Sequence, residues 1–166
     1  MRRFLTLGLM ALALLLAVDA SAQSAAAAKA PAFKKAPTFT EIGLKLNASG
    51  AIVGLQPAPE HPDDTKIFLT GHGTLTVDCF DPSATLLGEA TASFSTVQGI
   101  QYIPDSQLRS SGTTFGVTTA APGLTPEQAG CPTGATYTAA KDTTYTTARV
   151  VVIQDGLTTL NQVFDL

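Results

Sequence analysis

Two histidines, two cysteines and one short acidic run carry most of the chemical potential of this 166-residue sequence. His61 lies in Pro57-Ala58-Pro59-Glu60-His61-Pro62-Asp63-Asp64. Glu60, Asp63 and Asp64 supply the oxygen ligands that calcium prefers, with His61 as a nitrogen beside them. The spacing fits neither an EF-hand loop nor a His-Glu-x-x-His helix, and prolines with acids also make an ordinary solvated loop. His72, between Gly71 and Gly73, reads first as a turn or bulge and is too short for a phosphate loop. Any acid–base or nucleophilic scheme must therefore run through His61 or His72. Ser93 and the Ser110-Ser111-Gly112 run lack the Gly-x-Ser-x-Gly elbow. A retaining glycosidase needs two carboxylates about 5 Å apart; Glu41, Glu60, Glu89 and Glu127 form no pair that sequence alone brings together, and Glu41 and Glu89 read as solvent-face charges on strands. With tryptophan absent, a sugar platform falls to Tyr102, Tyr137 or Tyr145. Tyr145 is assigned to the edge of the core, and Tyr102 is kept as a ligand candidate.

The elements around these residues read as strands. Thr38 to Leu46 places Ile42, Leu44 and Leu46 on one face, with turn chemistry at Asn47-Ala48-Ser49-Gly50 and Ala51 to Leu55 returning. Leu75, Val77 and Cys79 alternate with Thr74, Thr76 and Asp78, and Ala90, Ala92 and Phe94 repeat the period of two. Ile100 with Tyr102, and Phe115 with Val117, do the same. Asp155-Gly156 between two apolar runs predicts a hairpin. The one helical signal is a capped turn over Thr125 to Gly130. The 24 threonines favour the pleat through their branched Cβ, and no fixed repeat marks them as a regular hydroxyl array. The expected fold is all-β: an antiparallel two-sheet sandwich, immunoglobulin-like or related, of about eight strands with one disulfide.

The first residues read as an address. Arg2 and Arg3 precede an apolar run from Leu5 to Val18, and Ala20-Ser21-Ala22 offers the small residues of a signal peptidase site. The run is shorter than the roughly 20 residues that cross a bilayer, so residues 1–22 are expected to be removed, leaving no transmembrane anchor. Residues 23–37, rich in Ala, Lys and Pro, read as a tether, and residues 38–166 as a single β-sandwich domain. Lys29, Lys34 and Lys35 make the tether basic, whereas Thr38 to Leu166 holds 5 basic and 12 acidic residues. The whole chain carries a net charge of −3, and that balance excludes a nucleic-acid surface.

In an oxidising compartment, an even cysteine count makes a Cys79–Cys131 disulfide the default pairing. The lone pair lacks the Cys-x-x-Cys spacing of redox or zinc sites. The order Gly71-His72-Gly73-Thr74-Leu75-Thr76-Val77-Asp78-Cys79, Phe115-Gly116-Val117-Thr118-Thr119, Ala129-Gly130-Cys131-Pro132 and Val152-Ile153-Gln154-Asp155-Gly156 resembles a group of uncharacterised small exported bacterial β proteins. The resemblance spans roughly residues 70–166. This chain has Phe80-Asp81-Pro82-Ser83 where that group carries Asn-Pro-Gly-Gly, and Thr133-Gly134-Ala135-Thr136-Tyr137 where an aromatic follows Cys-Pro sooner. The resemblance implies a secreted bacterial protein and supports the cysteine pairing. It brings no activity.

The functional expectation is a non-enzymatic structural or protein-interaction domain, in the periplasm, at the cell envelope or outside the cell. Its partner would be a protein or an envelope component, and no cofactor is implied. Two alternatives stand beside it: a small-ligand, glycan or calcium-binding module using Glu60, His61, Asp63, Asp64 or Tyr102, and a hydrolase using His61 or His72.

Overall fold

A computed structural model describes residues 30–57 and 65–166. In chain order the strands are β1 (Ala32–Phe33), β2 (Thr38–Ile42), β3 (Lys45–Val53), β4 (Thr65–Phe80), β5 (Leu86–Ile103), β6 (Thr113–Thr118), β7 (Tyr137–Gln154) and β8 (Leu157–Asp165). The short helix α1 (Pro126–Ala129) lies between β6 and β7. The strands form two antiparallel sheets, so the two-sheet sandwich expected from the alternation is the observed architecture. In the smaller sheet β3 is central, flanked by β6 on one edge and by β2 and then β1 on the other. The larger sheet runs β5-β4-β7-β8. Among the described residues no helix is long and apolar enough to cross a membrane.

β4 organises the larger sheet. Its burial alternates without a break: Ile67, Leu69, Leu75, Val77 and Cys79 point inward and are fully buried, while the residues between them face out. Strict period two is what a strand covered on one face demands. Leu46, Ala48 and Ile52 of β3 and Phe115 and Val117 of β6 supply the opposing layer of the core. The sandwich is stitched at one side where the Ala120 N–H donates to the Gln98 carbonyl at 3.0 Å and the Gly116 N–H to Gln101 Oε1 at 3.0 Å. At the other side Phe164 of β8 meets Phe33 and Phe39, with ring centroids 5.7 and 5.1 Å apart.

Every register shift in the larger sheet is taken up by a neighbour of β4 or by β8. β5 and β7 each gain an extra residue opposite the Gly71–Gly73 segment of β4, between Phe94 and Val97 and between Tyr145 and Thr147. An inserted residue reverses which face later side chains take. Phe94 therefore points into the core, while Ile100 and Tyr102 further along the same strand point to solvent. Gly73 has a packing reason: a Cβ there would stand 2.0 Å from the Thr144 carbonyl oxygen.

Two local expectations are corrected. The first turn falls at Gly43 and Leu44, not at Asn47-Ala48-Ser49-Gly50, and β3 runs unbroken through the latter segment. Gly43 adopts φ +60°, which suits a tight turn, and Asn47 instead donates to Thr118 Oγ1 at 2.9 Å across to β6. The tether expected over residues 23–37 is, at its described end, part of the fold: β1 pairs with β3, and the Phe33 ring lies 6.0 Å from Phe115. The disulfide, by contrast, is the expected Cys79–Cys131 pair, joining the end of β4 to the loop before β7.

Ile42, expected to share a strand face with Leu44 and Leu46, is 58% exposed because the turn at Gly43 separates it from β3, whereas two other local signals match the structure. α1 carries a capping box between Thr125 and Gln128 and ends at Gly130. Asp155 and Gly156, at φ +51° and +72°, make the hairpin between β7 and β8.

Candidate functional site

Glu60, His61, Asp63 and Asp64 lie outside the described residues. A cleft of about 440 Å³ is lined by Leu55, Gln56, Pro57, Leu108 and Arg109. Among the described residues no three of His, Cys, Asp and Glu gather as a metal-ligand set. Cys79 and Cys131 form the disulfide, with Cα atoms 5.8 Å apart and Cys79 fully buried.

Four of the other acids make contacts within the fold or at its surface. Glu41 reaches from β2 across to the larger sheet, where its Oε1 accepts the Tyr145 N–H at 3.1 Å, one residue before the extra residue in β7. That bond ties the smaller sheet to β7 beside the register shift and gives a buried residue's N–H its acceptor. The same tyrosine, nearly fully buried, donates its hydroxyl to the Leu44 carbonyl at 3.0 Å. Glu89 sits on the outer face and pairs with Lys141, which also lies 3.8 Å from Asp78. The hydrogen bond and charge of Glu89, then the charge of Asp78, hold the Lys141 ammonium above its ordinary pKa. Asp81 folds the β4–β5 connection: its Oδ1 accepts from the Thr85 N–H at 2.8 Å and the Ser83 hydroxyl at 2.7 Å. Those bonds, Thr85 first, hold its carboxyl below the usual range. Glu127 is likewise lowered, by its own backbone N–H and then by the Thr125 hydroxyl. His72 is exposed, with both ring nitrogens 3.3 to 3.4 Å from Thr96 Oγ1.

Tyr102 lies on a different kind of surface. Side chains paired across neighbouring strands share a face, so the outer face of the larger sheet can be read in rows along β4. Lys66 stands between Tyr102 and Ile153, Phe68 between Ile100 and Val151, and Thr70 between Gln98 and Arg149. Further on, Thr74 stands between Ser93 and Thr144, Thr76 between Thr91 and Asp142, Asp78 between Glu89 and Ala139, and Phe80 between Leu86 and Tyr137. Both ends of the face are thus apolar and aromatic, and the middle is hydroxyl-rich.

At the Lys66 end, Tyr102 is 62% exposed, Ile100 46% and Val163 59%, with Phe68, Val151 and Ile153 half-buried among them. Lys66 Nζ stands 5.9 Å from the Tyr102 ring centroid. A shallow depression of about 270 Å³ is lined by Phe68, Thr70, Gln98, Arg149, Val151 and Ile153. Arg149 is held at its rim by its Nε–H donating to Asn161 Oδ1 at 2.8 Å. At the Phe80 end the Phe80 and Tyr137 rings stack with centroids 5.1 Å apart, beside exposed Leu86.

Of this surface, the sequence points to Tyr137 as one sugar platform and keeps only Tyr102 as a ligand candidate. Phe68, Ile100, Val151 and Ile153 come from three separate strands, and their apolar character marks them in sequence as core. The signal that could have found them is a count of apolar residues on the outward parity of β4, taken together with the extra residue in β5.

Comparison with known protein families, with curated proteins and with solved structures gave no match.

Proposed function

We propose that this chain is a secreted bacterial, non-enzymatic interaction domain, and that its binding face is the outer surface of the larger sheet. The carrying observation is the contiguous apolar set of Phe68, Ile100, Tyr102, Val151, Ile153 and Val163 on a face that no other element of the described chain covers. Single exposed apolar residues are ordinary, whereas a contiguous group rimmed by polar side chains is the signature of an interaction surface. The leader-like first 22 residues support export, and the resemblance of residues 70–166 supports the bacterial setting. A second reading has its own observation: the depression beside Phe68 offers Thr70, Gln98 and Arg149 as hydrogen-bonding groups around an apolar floor, which suits a glycan or other small polar ligand.

Site-specific photocrosslinking in cells that export the chain tests the main reading. A benzophenone side chain at position 102 is expected to capture a partner, and the same group at Thr114, exposed on the smaller sheet, is not. Equal capture at both positions, or none at position 102, overturns it. The glycan reading predicts a thermal shift with envelope glycans, worth about 2.7 kcal/mol at a hundred times the dissociation constant.

A further inference from the structure

We infer that the partner of this face is a second copy of the chain, docked face to face with its strands running the opposite way. The inference rests on the reading of the outer face as an interaction surface and goes on to say what covers it. The two ends of the face complement each other in charge. The Lys66 end carries Lys66 and Arg149, while the other half of the face carries Asp78, Glu89 and Asp142 against the single cation Lys141. One end is net basic and the other net acidic, and each has its own aromatic and aliphatic side chains.

A two-fold axis lying between two such faces, perpendicular to the strands and level with Gly73, keeps each strand over its own counterpart and reverses its direction. The row of Thr70 then lies over the row of Thr76, and the row of Lys66 over that of Phe80. Arg149 comes to stand opposite the partner's Asp142, because the two occupy the same strand in rows equidistant from Gly73. By the same operation Ile153 meets the partner's Tyr137, Tyr102 meets the partner's Leu86, and Thr147 meets the partner's Thr144. Asp78 and Glu89, which fall opposite Phe68 and Ile100, are already bridged by their own Lys141. An isologous contact requires that residue i face j and j face i; this register meets it through the Arg149–Asp142 charge pair and the apolar end rows, while the row of Phe68 and Ile100 meets acids that Lys141 already bridges. An unrelated partner gives no reason for the two halves of one face to complement each other.

The size is sufficient. Lys66 to Phe80 at about 3.3 Å per residue gives about 45 Å, and three strands about 4.8 Å apart give about 12 Å of width with their side chains. The pair would cover about 1,100 Å² in total, at the lower end of specific interfaces, so a micromolar rather than nanomolar dimer is expected.

Sedimentation equilibrium of the mature, disulfide-intact chain, from about 1 to about 300 μM, tests the inference. The wild type is expected to dimerise. R149E and D142R, both at exposed positions, are each expected to weaken self-association at least tenfold while keeping the wild-type thermal midpoint when melted at concentrations where all three are monomeric. Mixed in equal amounts, the two variants are expected to associate with each other, since each reversed charge then faces an opposite one. A wild type that stays monomeric, a dimer that survives R149E, or a mixture that fails to restore association overturns the second-copy partner. A monomeric wild type that still crosslinks to a different molecule through position 102 leaves the interaction face standing, whereas the absence of any crosslink there removes both.

Discussion

The two faces of the larger sheet are built from the same strands and differ in almost everything else. The inner face is dry, with Ile67, Leu69, Leu75, Val77, Val150 and Val152 fully buried against the smaller sheet. The outer face keeps its apolar side chains at its two ends and fills the span between them with threonines and charges. The lesson is that period two fixes which residues may be inside, but the extra residues in β5 and β7 decide where that period restarts. Without the insertion between Phe94 and Val97, Ile100 and Tyr102 would share the core side with Phe94, and the outer face would keep only Phe68 as an aromatic at that end.

The inner face is most sensitive at the crosslink that anchors it. Cys79→Ser is expected to cost about 4 kcal/mol on the chain-entropy model, read as a fall in thermal midpoint under non-reducing conditions. An unchanged midpoint would separate the crosslink from stability. Leu75→Ala, wholly on the inner face, should cost about 3 kcal/mol through lost burial and a cavity, measured by denaturant unfolding. Glu41→Ala removes the acceptor for the Tyr145 N–H and is expected to cost about 1 kcal/mol, with faster amide exchange at Tyr145 as its local signature. On the outer face, Ile100→Thr together with Tyr102→Ser should stay within about 0.5 kcal/mol of the wild type when measured on single copies at low concentration. A loss comparable to Leu75→Ala would show that this face belongs to the core after all.

The smallest effect expected is that of Lys141. Its pKa is raised in the folded chain, so its contribution is fully present below the ordinary lysine value and is lost as pH rises through the higher folded value. Melting curves across that alkaline window should converge for the wild type and Glu89→Gln.

Much of the fold was legible in the sequence. The alternation of Leu75, Val77 and Cys79, the Asp155-Gly156 hairpin and the capped turn before Cys131 are local patterns, and each is where local chemistry puts it. The first hairpin was misplaced because Asn47 and Ser49 are turn formers in isolation, while in the folded chain β3 is paired on both edges and Asn47 spends its amide on β6. The pairing of Ala32–Phe33 was hidden for a related reason, since two residues gain strand character only from the partner beside them. The outer face was the least legible part. Its members meet only through pairings between residues far apart in the chain, and the inserted residues that set their side leave no mark on composition.

The position of the disulfide has a consequence for the order in which the chain folds. β4 and β7 are neighbours in the sheet but distant in sequence, and their pairing begins nearest the loop, where Phe80 meets Tyr137. Bringing those two together from an open chain means closing a loop comparable to the 52-residue separation of the cysteines. Once Cys79 and Cys131 are joined, Tyr137 is only a few residues from a fixed point beside Phe80, and most of that closure entropy has already been removed. The remaining pairs, up to Lys66 with Ile153, can then form in sequence like a zipper. A chain oxidised while unfolded should therefore refold faster than one with blocked thiols, which makes the crosslink a pacemaker of sheet closure as well as a brace for the finished sheet.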